Sequence, residues 1–141
     1  DSRLRTAPRE DARSDQQPLR ILVVDDDPLI LAALKRMFRT HVVTTNETVR
    51  GALEAIDAGA RFDVVVSDLM MPEQTGADFY REVHRRCPEL AQRFVFVSGG
   101  GTTDATRTFL ASVRQPVLGK PFDRAELRRI VEAIGRSQSS A

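Results

Sequence analysis

Apolar residues fall along this chain in two alternating rhythms. Short unbroken runs occur at Ile21 to Val24, Val64 to Val66 and Phe94 to Val97, with shorter ones at His41 to Thr44 and Val117 to Gly119. Each is too short for a helix and is bounded by polar or turn residues, as expected of strands buried on both faces of a parallel sheet. Between them the apolar positions spread to a helical period. Ile30, Ala33, Leu34, Met37 and Phe38 form one stripe, and Val49, Ala52, Leu53 and Ile56 a second, capped by Asn46 and closed by Gly59. A third helix is expected around Phe79 and Val83, ending before Pro88. A weaker one spans Thr102 to Val113, and a last begins at Asp123 with Leu127, Ile130, Val131 and Ile134 on one face. Five β/α units in alternation imply a parallel sheet between two layers of helices, an α/β fold.

Polar chemistry collects where the apolar runs end. The first run stops at Asp25-Asp26-Asp27, and Pro28 then suits the first turn of a helix. The third stops at Ser67-Asp68, followed by a loop punctuated by Pro72 and Gly76. The fourth ends in Ser98 and the fifth in Lys120-Pro121. In open α/β sheets, ligands bind beyond the carboxyl ends of the strands. One acid there is ordinary turn chemistry; acid, acid, hydroxyl and amine in succession are not.

These positions, over about Leu19 to Arg136, resemble the receiver domain of two-component response regulators. The resemblance implies a flavodoxin-like, doubly wound five-stranded parallel sheet in the order 2-1-3-4-5 with five helices. It implies that Asp68 is the phosphoacceptor, with Lys120 and Ser98 contacting the phosphoryl oxygens. Gly99, Gly100 and Met70 would be neighbours of the phosphoryl group. Asp25, Asp26, Asp68 and the backbone carbonyl of Met70 would hold Mg²⁺, Asp25 largely through a water. The phosphoryl donor would be a phosphohistidine on a histidine kinase or a histidine phosphotransfer protein. Clustered carboxylates repel, so a cation or a proton is required in any case.

Other residues carry simpler readings. Asp27 suits a helix cap, Met71 core filling, and His41 and His84 packing or surface positions. Gly99-Gly100-Gly101 lacks the spacing and the lysine of a nucleotide-binding P-loop and reads as a flexible loop. In many receivers an aromatic ring three positions before the lysine swings with the signal. Val117 stands there instead, which implies a muted rearrangement.

Composition narrows the remaining choices. With 141 residues and a formal net charge of +1, the chain has the length of one domain and no global field for nucleic acid or anionic membrane. No apolar run approaches a membrane span, and the single cysteine, Cys87, excludes an internal disulfide and suits a reducing cytoplasm. The expected organisation is a polar linker at 1–18, the receiver at 19–136 and a polar tail at 137–141. The opening Asp1 suits a piece of a longer protein, with a hybrid histidine kinase the expected context and a stand-alone or effector-linked regulator the alternative. Asp25-Asp26-Asp27 also meets the D-x-D opening of haloacid-dehalogenase phosphatases, which would make Asp25 rather than Asp68 the nucleophile. Their further acidic pair after the lysine and their cap domain have no counterpart here.

Overall fold

The computed structural model describes residues 17–71, 73–99 and 103–137. The strands are β1 (Arg20–Val24), β2 (Val42–Asn46), β3 (Val64–Asp68), β4 (Phe94–Ser98) and β5 (Val117–Gly119). The helices are α1 (Pro28–Met37), α2 (Val49–Asp57), α3 (Gly76–Arg86), α4 (Pro88–Ala91), α5 (Asp104–Ala111) and α6 (Arg124–Arg136). All strands pair in parallel in the order β2-β1-β3-β4-β5, so the doubly wound sheet has its switch point between β1 and β3.

Alternation along the strands sorts the side chains into two cores. Leu22, Val24, Val65, Phe94 and Phe96 face one way, under α2, α3 and α5. Ile21, Val23, Val64, Val66, Val95, Val97 and Leu118 face the other way, under α1 and α6. Every residue of β3 and β4 is buried, which is why the central runs are continuously apolar instead of alternating.

Local expectations needed several corrections. Among the described residues there are six helices instead of five, because Pro88 starts a separate turn, α4, immediately after α3 ends. Asn46 is the last residue of β2, and Thr48 caps α2 by accepting from Gly51 N–H at 3.0 Å. β2 begins at Val42, one residue after His41. The inward stripe of α1 is shifted by one position: Leu31, Leu34 and Phe38 are buried, while Ile30, Ala33 and Met37 are half-buried. The α5 helix is shorter than expected and starts at Asp104 behind the Thr103 cap. Other features match. Asp27 caps α1 and Asp123 caps α6, Gly59 takes a left-handed φ of 101° after α2, and Met71 is buried. The Lys120–Pro121 peptide is cis.

Candidate functional site

Register assembles the site. Val24 lies opposite Ser67 across β1 and β3, so the next residues, Asp25 and Asp68, emerge side by side. Asp68 lies opposite Val97, which sets Ser98 one step beyond it on β4. Ser98 pairs with Gly119, and the Lys120 N–H donates to Ser98 O at 2.7 Å. Four strand ends thus meet around one point at the carboxyl edge of the sheet.

Oxygens of Asp25, Asp26 and Asp68 all lie within 4.8 Å of one another, with Asp25 and Asp68 buried and Asp26 exposed. Lys120 Nζ donates to Asp25 Oδ2 at 3.1 Å and stands 3.6 Å from Asp68 Oδ1. Asp25 Oδ1 accepts from Asp27 N–H at 2.9 Å, so both oxygens of Asp25 are engaged. Asp68 Oδ1 accepts from Met70 N–H at 3.3 Å, while its Oδ2 has no hydrogen-bond partner among the described residues. That asymmetry favours Asp68 over Asp25 as an attacking carboxylate, against the phosphatase alternative.

Burial pushes the Asp68 carboxyl above the usual carboxylate range, and the charge of Asp25 adds to this; Lys120 and the Met70 N–H pull it down without cancelling the rise. Burial also works against the Lys120 ammonium. The hydrogen bond and charge of Asp25, with the charge of Asp68, outweigh it and hold Lys120 above the ordinary lysine value.

Ser98 supplies a further observation. It is buried, and its Oγ has no hydrogen-bond partner among the described residues. A buried hydroxyl without a partner is costly, and an anion carrying free oxygens at this point would satisfy it. Hard carboxylate oxygens gathered around one position are the donor set of Mg²⁺. The residues therefore fit a divalent cation together with a phosphoryl group.

The loop after Asp68 is held by α3. Gly76 N–H donates to Leu69 O at 2.9 Å, and a Cβ on Gly76 would stand 2.4 Å from Asp68 O. Only glycine permits this approach. The Thr75–Asp78 capping box then anchors the start of α3. A Cβ on Gly99 would make ordinary contact with Lys120 Cδ at 3.7 Å. Gly100 and Pro72 lie outside the described residues.

Two contacts were not legible beforehand. The Thr106 hydroxyl, buried in α5, donates to Met70 Sδ at 3.7 Å and so ties the Asp68 loop to that helix. A threonine inside a weakly patterned helix carries no sequence signal for such a role. His41, expected to be ordinary packing, accepts from Leu19 N–H through Nδ1 at 2.9 Å, and its Nε2 meets Glu132 Oε2 at 3.0 Å.

A parallel sheet with clustered acids at its switch point and a lysine just beyond its edge strand β5 defines a class of phosphoryl-handling α/β domains. The sequence matches the family model of the response regulator receiver domain over residues 21–132, and the chain belongs to that family. It is similar to the sensor kinase CckA of Brucella abortus, 31% identical over 121 residues that cover 84% of this chain and 13% of that protein. A two-component response regulator of rice (Oryza sativa subsp. japonica) is 31% identical over 131 residues, 91% of this chain and 22% of the relative. The chain thus spans about a fifth or less of these relatives. Among solved structures, the receiver domain of a Francisella response regulator superposes with a TM-score of 0.71 at 26% identity, covering 83% of this chain and 96% of that one. The receiver domain of a sensor histidine kinase from Pseudomonas aeruginosa PAO1, with a magnesium ion coordinated in its active-site cleft, superposes with a TM-score of 0.72 at 25% identity, covering 85% and 99%. Among the described residues, no helix is long and apolar enough to cross a membrane.

Proposed function

We propose that this chain is a phosphoacceptor that takes a phosphoryl group from a phosphohistidine onto Asp68, within a two-component phosphorelay in the cytoplasm. The carrying observation is the free Asp68 Oδ2 in a crevice that also holds Lys120 and an unpartnered Ser98 hydroxyl. An Asp68 oxygen attacks phosphorus, the P–N bond breaks, and the donor imidazole leaves with the electron pair. Lys120 offsets charge on the phosphoryl oxygens, and the Ser98 hydroxyl donates to one of them. Gly99 leaves the approach open.

Asp25, Asp26, Asp68 and the carbonyl of Met70 would hold Mg²⁺, which when bound supplies positive charge against the transferring group. Asp25, with both oxygens engaged, contributes through water. The donor is a histidine kinase or a histidine phosphotransfer protein, the usual partners of receiver domains in two-component systems. The receiver unit is residues 19–136, between a polar linker at 1–18 and a tail at 137–141. A place within a hybrid kinase fits the similarity to a sensor kinase.

Labelling with a ³²P phosphohistidine donor in Mg²⁺ tests the assignment. Asp68→Asn should abolish an acid-stable, base-labile label that Asp27→Asn leaves largely intact. Label retained in Asp68→Asn, or found on Asp25, would falsify it.

A further inference from the structure

A second charged cluster lies between α1 and α6, on the helical layer opposite α2, α3 and α5. A cavity of about 320 Å³ opens there, with Arg36 and Arg39 on one wall, Arg124 and Arg128 on the other, and Ala33 and Met37 among the remaining lining residues. No carboxylate lines it.

Several of the chain's other arginines are paired with carboxylates. Arg20 pairs with Asp63, Arg81 with Asp78, Arg85 with Glu82, Arg86 with Asp57 and Glu82, and Arg107 with Asp104. Arg36, Arg39 and Arg124 have no carboxylate partner among the described residues. Arg128 donates to the Met37 carbonyl at 3.0 Å, which closes the floor of the cavity. Glu132, one turn along α6 from Arg128, engages His41 Nε2 through Oε2 at 3.0 Å. Arg124 and Arg128 are like charges at i, i+4 on α6, whose start already carries the Asp123 cap and Glu126. The like-charged pair is unfavourable unless a negative group joins it.

We propose that this cleft is a binding site for a soluble oligophosphate anion of the diphosphate or triphosphate type. Guanidinium groups match phosphate oxygens bidentately, and four of them around a compact cavity suit a small anion of high charge density better than an extended acidic chain. The exposed large apolar side chains of the described residues, Leu29, Val42 and Val117, do not line the cleft, so nothing there would enter a lipid surface. The site is separate from the carboxylate cluster, and occupancy requires no Mg²⁺.

The test is an amide NMR titration of the 141-residue chain with inorganic pyrophosphate in EDTA, which keeps the Asp68 crevice free of metal. Saturable shifts at the end of α1 and the start of α6 are expected, with a submillimolar Kd. Arg36→Gln with Arg124→Gln should weaken binding at least about tenfold, and Arg36→Lys with Arg124→Lys by less, since charge survives but the bidentate fork does not. Non-saturating shifts, an unchanged Kd in the folded glutamine variant, or tighter binding of a poly-glutamate peptide would overturn the proposal. Binding to phosphatidylglycerol vesicles without binding to free pyrophosphate would overturn it too.

Discussion

Replacing the phosphoacceptor by its amide should make the protein more stable, although it destroys the proposed function. Asp68 is buried, and its pKa lies above the ordinary carboxylate value for reasons led by burial and then by Asp25. A carboxyl whose folded pKa is raised contributes stability that is fully present below its unfolded pKa, near about 4, and is lost as pH rises through the folded value. At pH 7 the ionised group is therefore a net cost. Like charges 4.8 Å apart, the outer limit of the cluster, repel by about 3.5 kcal/mol at an effective dielectric of 20. Asp25 counts in full, and exposed Asp26 for about half after solvent screening. Lys120, at 3.6 Å from Asp68 Oδ1, returns about 4.6 kcal/mol. The net repulsion is about half a kcal/mol, and burial of the charge raises the total to about 1–2 kcal/mol. Asp68→Asn should gain that amount, or about 4–8 °C in Tm for a domain of this size. Urea and thermal unfolding in EDTA at pH 7 would measure it, and the gain should shrink steadily as pH falls towards 4. An amide variant less stable than wild type at pH 7, or a gain that ignores pH, would refute the electrostatic reasoning.

The same repulsion predicts that Mg²⁺ stabilises the wild type, by about 1.4 kcal/mol at tenfold over its Kd. Asp26→Ala should remove the increment, and a Tm insensitive to millimolar Mg²⁺ would contradict the proposed ligand set. Gly76→Ala drives a Cβ to 2.4 Å from Asp68 O and should cost about 2–3 kcal/mol by denaturation while slowing phosphorylation; a neutral effect would show that the α3 start is free to shift. Finally, Val117 is 41% exposed, and the ring cluster behind α5 is built on Tyr80 against Phe94, Phe96 and Phe109. Beryllofluoride should therefore perturb amides mainly around Asp25, Asp68, Ser98 and Lys120, and large shifts across α5 to β5 with a new dimer would rule out a muted switch.

Much of the architecture was legible locally. β3 and β4 are buried on both faces, so their runs are apolar throughout, and α6 faces a single core layer, so its stripe is periodic. The strand-end residues were legible for the same reason, since a charged side chain is tolerated only where a buried strand emerges. Caps and helix breaks were less certain because several residues compete for each: Thr48 replaced Asn46, and Pro88, expected only to follow the end of a helix, began a new turn.

What the chain order could not disclose is which oxygens are already engaged. That Lys120 occupies Asp25, while Asp68 Oδ2 and Ser98 Oγ have no partner among the described residues, follows from register between strands tens of residues apart. The arginine cleft has the same origin. Arg36 and Arg39 stand about ninety residues before Arg124 and Arg128 in the chain. Only the packing of both helices on one sheet face sets the four around a single cavity that no carboxylate lines. Periodicity reports how much of a side chain is buried, whereas charge pairing depends on distances that long-range packing alone sets.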